Sequence, residues 1–265
     1  MVPTPTVRAW RPPVAGVVEV LHAYFPDHAY PRHTHDTWTV LLVDAGTVAY
    51  DLERRSHGTV PRQVTVLPPH VAHDGRAASA AGFRKRVVYL EEPLLGTDRV
   101  GAAVDRPGWA DPVLAAAVDG LHGALVHPGD GFEAESRLAL VADRLARHLA
   151  GRDVDAPAVA DRPLAWAVRE LLDGRVVEGV GLADVARATY ASPTHVVRAF
   201  TAEFGLPPHR YLTGRRLDLA RRRLLAGERP ADVAVAVGFH DQAHLGRHFR
   251  RLLGVAPGAY ARSAR

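Results

Sequence analysis

Two histidines separated by one residue, His33 and His35, are the first groups in this 265-residue chain whose spacing can do chemistry. Alternate residues of a strand share a face, so in an extended segment both rings point the same way. Imidazoles ligate zinc and other borderline divalent metals. There is no cysteine, which excludes disulfides, thiolate metal sites and cysteine nucleophiles. The second chemical resource lies at the other end of the chain. Residues 162–265 carry 17 arginines against nine acids, net +8, whereas residues 1–161 carry 16 basic and 20 acidic residues, net −4. A basic half beside an acidic one suits a polyanion. Arginine and glutamine side chains can grip guanine and adenine edges bidentately.

These groups need scaffolds, and the length predicts two domains. Hydrophobic residues at 47% and charged residues at 23% are ordinary for a globular protein. Met1-Val2-Pro3-Thr4-Pro5 lacks the basic start and apolar core of a secretory signal. No run approaches the 18 apolar residues of a membrane span. A soluble cytoplasmic protein is expected, with no membrane partner.

Residues 1–16, rich in proline and small residues, predict an irregular arm. Short β-branched and aromatic runs at 17–21, 39–43, 47–52, 63–67 and 86–90, punctuated by Gly46, Gly58, Pro61, Pro68, Pro69 and Gly75, predict a sandwich or small barrel. Periodicity then changes. Segments 112–126 and 133–149 predict helices, the second with Leu138, Val141, Leu145 and Leu149 on one stripe. Residues 151–163 predict a linker. Beyond it, helices are expected near 164–174, 182–189, 193–203, 208–226, 231–237 and 241–253, with a short turn at 257–260.

This helical part contains one pattern twice. Ala183-Asp184-Val185-Ala186 and Ala231-Asp232-Val233-Ala234 each open a short helix. A tight turn follows, around Tyr190-Ala191 and around Gly238-Phe239. Ser192, and Asp241 or His240, stand where an N-cap is wanted, and Pro193 suits a first helical turn. The next helix buries Val196 and Phe200 in one copy, Leu245 and Phe249 in the other. That is the plan of a helix-turn-helix, whose second helix enters the DNA major groove. The helix between the copies would hold two reading heads about one DNA turn, roughly 34 Å, apart.

Gly238-Phe239, Phe249-Arg250 and Gly254-Val255-Ala256-Pro257-Gly258-Ala259-Tyr260, echoed by Phe204-Gly205-Leu206-Pro207-Pro208-His209-Arg210-Tyr211, resemble the signature of the AraC/XylS family of bacterial regulators. The resemblance implies DNA contact from Thr194, His195, Val197 and Arg198 on the first recognition helix. On the second it implies Asp241, Gln242, Ala243, His244, Gly246 and Arg247. It also implies double-stranded promoter DNA, RNA polymerase and a small-molecule effector as partners, with homodimerisation as a further option.

His33-Thr34-His35, followed by Gly46 and then by Leu67-Pro68-Pro69-His70-Val71-Ala72-His73, resembles the cupin barrel fused to such DNA-binding domains. The resemblance makes His33, His35 and His73 a candidate site for a divalent metal. The glutamate that completes the set in metal-binding cupins is Thr39 here. The alternative is a sensor pocket lined by these histidines without metal. Candidate ligand-lining groups are Tyr24, His33, His35, Trp38, Tyr50, His73, Phe83 and Tyr89, and core packing is the competing role for each aromatic. Arg32, Arg84 and Arg86 could favour an anionic effector. His57, His70, His122 and His127 read as surface or loop residues.

The expected fold is thus α+β in two domains. Residues 1–150 form a cupin-like sensor and dimerisation domain, with its barrel at about 17–91 and helices at about 112–149. Residues 151–163 link it to an AraC-type double helix-turn-helix domain at 164–265. The expected function is transcription regulation without catalysis. A metal-dependent cupin enzyme fused to a DNA-binding domain is the alternative.

Overall fold

The computed structural model describes residues 4–156 and 160–263; residues 157–159 of the expected linker lie outside the described residues. The chain divides into two compact units. One comprises Met1–Leu125 with Leu140–Ala156, the other Val126–Ala139 with Pro157–Arg265.

The first unit is built on two antiparallel sheets. Ten strands run β1 (Thr6–Trp10), β2 (Val17–Phe25), β3 (Ala29–His33), β4 (Trp38–Gly46), β5 (Val48–Leu52), β6 (Arg55–Thr59), β7 (Val64–Leu67), β8 (His73–Ala77), β9 (Phe83–Leu90) and β10 (Gly108–Trp109). The larger sheet has the order β1-β2-β9-β4-β7-β10, and the smaller β3-β8-β5-β6. Helices α1 (Val100–Asp105) and α2 (Pro112–Leu125) follow. Strand β4 is buried on both faces from Trp38 to Val43. Its odd residues Leu41 and Val43 pack with Val48, Phe83 and Val87 inside the barrel. On α2, Leu114, Val118, Leu121 and Leu125 recur at helical spacing and are buried, and this helix packs on β4.

The five expected strands are present, and five further strands accompany them among the described residues. Residues 6–10, expected as part of an irregular arm, pair with β2 in register Thr6↔Tyr24 to Trp10↔Val20. Trp10 fixes that edge, donating from Nε1 to the Leu125 carbonyl at 3.1 Å and standing edge-on to His22. Strands β3, β6 and β8 read AYPRH, RSHGT and HDGRA. Their polar sequences carry no β-branched alternation, and cross-strand pairing in the smaller sheet overrides weak local propensity.

Helix α3 (Gly131–Leu149) contributes its first half to the second unit and its second half to the first. The second unit continues with α4 (Arg162–Asp173), α5 (Leu182–Ala188), α6 (Pro193–Phe204), α7 (Pro208–Leu225), α8 (Pro230–Ala236), α9 (Gln242–Leu253) and α10 (Pro257–Arg262). Every helix expected from the sequence is there. Pairs α5/α6 and α8/α9 repeat one hydrogen-bonded turn. Ala191 N–H donates to the Ala186 carbonyl in the first copy, and Phe239 N–H to the Ala234 carbonyl in the second. The second turn is one residue longer before its next helix begins. Leu217, Ala220 and Leu224 of α7 pack with Val233, Leu245 and Phe249 to form the core of the second copy.

Two histidines are buried in these cores. His122, expected at the surface, is 1% exposed on α2, and His209 is 4% exposed on α7. The error at His122 is one of helix phase: it sits beside Leu121 on the buried stripe. Burial, aided by the charges of Arg86 and His22, pushes His122 down to about 3. Burial pushes His209 down to about 4 against the pull of Glu133. Both folded-state values lie below the unfolded value of about 6.5, so the unfolded chain binds more protons in the interval. Stability should therefore fall as pH drops from about 6.5 to about 4.5, by up to about 1.4 kcal/mol per pH unit for each histidine. Denaturant melts across this window test it, and His122→Gln should remove the share due to that histidine. A pH-independent midpoint would contradict it.

Candidate functional site

The recognition helices begin with well-formed caps. Ser192 Oγ accepts the His195 N–H at 3.2 Å at the start of α6. Asp241 Oδ1 accepts the His244 N–H at 2.7 Å at the start of α9. Asp241 is thereby a capping residue rather than a free reader. Helix phase also corrects Val197, which is fully buried beside Val196 and Phe200 and presents no side chain to DNA. Thr194 Oγ1 donates to the Ala139 carbonyl at 3.4 Å, and His195 Nε2 lies 2.8 Å from Asp161. Arg198 is half-buried, whereas Gln242 and Ala243 are exposed on the first turn of α9.

The rest of the α9 reading set converges on one carboxylate. Asp130, just before α3, is 7% exposed. Its Oδ2 lies 2.5 Å from Arg247 Nη2, and its Oδ1 lies 2.8 Å from His244 Nε2 and 3.0 Å from His248 Nε2. Burial alone would raise this carboxyl. Hydrogen bonds from His244 and His248, with the Arg247 charge, outweigh it and hold the group well below the usual carboxylate range. Sequence reasoning missed Asp130 because its partners are more than a hundred residues away.

Among the described residues, two groups of ligand-type side chains have atoms within 4.8 Å of one another: His33, His35 and His73 in the first unit, and Asp130, His244 and His248 in the second. Proton placement separates them. His244 Nδ1 accepts the His240 backbone N–H at 3.1 Å, so its own proton belongs on Nε2, facing Asp130. A metal at Nε2 would force that proton onto Nδ1, against another donor. This group therefore fits a hydrogen-bonded latch, not a metal site.

In the barrel the logic reverses. His33 and His73 face each other across β3 and β8. His33 Nδ1 donates to the Pro31 carbonyl at 2.7 Å, and His73 Nδ1 to the Val71 carbonyl at 3.0 Å. That leaves each Nε2 with a lone pair, the arrangement in which outer-shell carbonyls orient metal-ligating imidazoles. Burial, then the neighbouring His73 and His33, push His35 down to about 4, and burial also lowers His73. Converging imidazole nitrogens, with His35 and His73 biased toward their neutral forms, fit a divalent cation or a proton-donating ligand. Thr39 does not supply the missing carboxylate, but its buried Oγ1 has no hydrogen-bond partner among the described residues.

These histidines line a cavity of about 100 Å³ with Tyr30, Tyr50, Tyr89, Thr65 and Lys85. Of the expected lining residues, the structure gathers His33, His35, Tyr50, His73 and Tyr89. It does not bring Tyr24 or Trp38 there. On β4, Thr39 and Leu41 face the cavity, so Trp38 points to the other side and is fully buried. Tyr24 pairs with Arg84 on the outer face, 5.7 Å under its guanidinium. Phe83 packs in the barrel core.

Comparison with known proteins gives the same division of labour. A family profile described as AraC-like ligand binding domain matches residues 15–142, and one described as helix-turn-helix domain matches residues 185–263. An uncharacterised HTH-type transcriptional regulator of Bacillus subtilis, YbfI, is 23% identical over 82% of this chain and 81% of its own length. An AraC-like transcription regulator of Streptomyces antibioticus is 35% identical over 89% of this chain, which spans 60% of that protein. The crystal structure of the AraC-like transcriptional activator CuxR aligns over 82% of this chain and 80% of its own, with 16% identity and a TM-score of 0.44.

Proposed function

We propose that this chain, which carries an AraC-like ligand-binding domain and a helix-turn-helix domain, is an AraC-like transcriptional regulator that reads promoter DNA through α6 and α9 under the control of a small effector held in its barrel. The observation that carries the DNA-reading part is the repeated helix-turn-helix, with a side-chain cap at the start of each second helix and Gln242 exposed on the first turn of α9. The family supports transcription regulation; catalysis forms no part of this reading. It includes RNA polymerase and a second copy of the chain as partners, and a cytoplasmic site of action. No helix among the described residues is long and apolar enough to cross a membrane.

Arg247 and the DNA compete in this scheme. An arginine bound to Asp130 cannot make a bidentate contact with guanine, so reading requires the latch at Asp130 to open. An effector controls DNA binding only if its affinity differs between the latched and open states.

The test is equilibrium binding of the full chain to genomic fragments, by fluorescence anisotropy. Specific fragments should bind at least about a thousandfold more tightly than random competitor. With arginines neutralising phosphates, affinity should drop on the order of a thousandfold between roughly 50 and 200 mM salt. No preference for any genomic fragment, with or without metabolite extract, would defeat the reading.

A further inference from the structure

The barrel interior contains a cation that the sequence reading passed over. Arg84 and Arg86 were the expected attractors of an anion, but alternation sends both to the outer face of β9. Arg86 forms ion pairs there with Asp44 and Asp119, and Arg84 lies over Tyr24. Arg32 donates to the Glu53 carbonyl at the surface. The residue between the two arginines, Lys85, takes the inner phase with Val87 and Tyr89 and lines the cavity.

Among the described residues Lys85 makes no ion pair. Its Nζ stands 4.1 Å from the Tyr30 ring centroid and 5.9 Å from that of Phe83. The cavity's one acid, Asp74, accepts the Asp51 N–H at 2.9 Å and lies 3.7 Å from Arg76. Burial pushes the Lys85 ammonium down to about 8, as expected of a cation drawn from water without a counter-ion. Thr39, 4% exposed, adds to the same wall a hydroxyl with no partner among the described residues. Buried polar groups are normally satisfied, and the buried Thr39 Oγ1 is not; beside a half-buried ammonium with no counter-ion among the described residues, it suits an acceptor from outside the protein.

We propose that the effector is a small organic carboxylate, paired with the Lys85 ammonium and hydrogen-bonded by Thr39, within the cavity walled by His33, His35 and His73. Size narrows the class. A dry cavity of about 150 Å³ accepts benzene, so about 100 Å³ suits roughly four to six non-hydrogen atoms. Acetate, lactate and pyruvate span that range. This proposal rests on the reading of the barrel as an effector site.

The experiment is thermal melting of the full chain with sodium acetate, lactate or pyruvate, against acetamide, lactamide or glycerol at matched ionic strength. Each series is run in EDTA and again with zinc. A carboxylate at about a hundred times its dissociation constant should raise Tm by about 5–10 °C. Lys85→Met should abolish the shift without lowering the Tm of the ligand-free protein, because it removes an unpaired ammonium. If that variant fails to fold, Thr39→Val provides the second measurement, with affinity reduced roughly tenfold. A shift that requires zinc and survives Lys85→Met assigns the carboxylate to the metal alone and overturns the role of Lys85. An equal shift with amides or glycerol overturns the carboxylate class while leaving an effector site in place. If neither series shifts Tm, the carboxylate proposal falls. The effector reading falls with it only if a broader library of neutral and cationic compounds also leaves promoter affinity unmoved.

Discussion

Asp130→Ala should bind promoter DNA about 10–100-fold more tightly than the unmodified chain while its helical unit melts at lower temperature. The first effect follows from what Asp130 holds. Its carboxylate neutralises Arg247 and anchors the buried His244 and His248 of α9. Releasing Arg247 restores a side chain whose bidentate contact to guanine contributes about 1–3 kcal/mol. Removing the acid also removes a negative charge that would oppose phosphate. The second effect has the opposite sign. Breaking a buried ion pair by deleting one partner costs about 3–5 kcal/mol when the other charge stays buried. The Arg247 side chain is already about a third exposed and can swing into solvent, so about 2–3 kcal/mol is expected here. A variant less stable yet tighter on DNA is hard to obtain from general damage. The decisive control is Arg247→Ala. Alone it should weaken binding by about 1–3 kcal/mol, and in its background Asp130→Ala should keep only the small gain from the lost negative charge. An affinity within twofold of the unmodified chain for Asp130→Ala would show that the latch does not compete with DNA.

That competition was invisible in the sequence for a definable reason. Helix periodicity and caps are local properties, and they placed α4 to α10 almost to the residue. The repeated Ala-Asp-Val-Ala and the later Phe200 and Phe249 identified both reading units. Nothing local to Asp130 indicates that it will be buried against residues 117 and 118 positions away. One choice in the reading set conflicts with helix phase, which was available. Val197 follows Val196 on the buried stripe of α6, whereas Asp241 caps α9, the position that its sequence context already suggested.

The barrel divides in the same way. Its strongest β-branched strands were legible, whereas β3, β6 and β8 owe their extension to partners in the smaller sheet. The three histidines meet because β3 and β8 pair His33 with His73, a contact that the motif spacing implied only through family resemblance. Lys85 was within reach of sequence reasoning. Tyr89, an expected lining residue, lies four positions along the same strand, and alternation puts both on one face. Choosing arginines by residue type, without counting parity from Tyr89, selected the outer face.

Gly238→Ala should be among the most damaging single-methyl changes in the chain, and the repeat supplies its own control. Gly238 has φ +90°, and the same position of the first copy is Tyr190, with φ +54°. Both residues close the same turn, so a left-handed backbone is required in each, yet only one is glycine. The difference is what surrounds them. Tyr190 is 99% exposed, so its side chain meets solvent and the residue carries only the conformational cost, about 1–2 kcal/mol. At Gly238 an added Cβ would stand 2.4 Å from the Val177 carbonyl oxygen and 2.9 Å from Arg216 Nε. Arg216 cannot withdraw freely, because that nitrogen donates to the Val176 carbonyl at 2.7 Å. Backbone strain and the close approach together should cost about 3–5 kcal/mol. That lowers the helical unit's Tm by about 10–20 °C and abolishes reading by α9. Tyr190→Gly relieves strain in the folded state but loosens the unfolded chain by about 0.4–1 kcal/mol, so its Tm should change little. Comparing the two variants separates the φ requirement from the steric one. Equal and small effects would mean that the approach of Val177 and Arg216 to Gly238 does not constrain the turn.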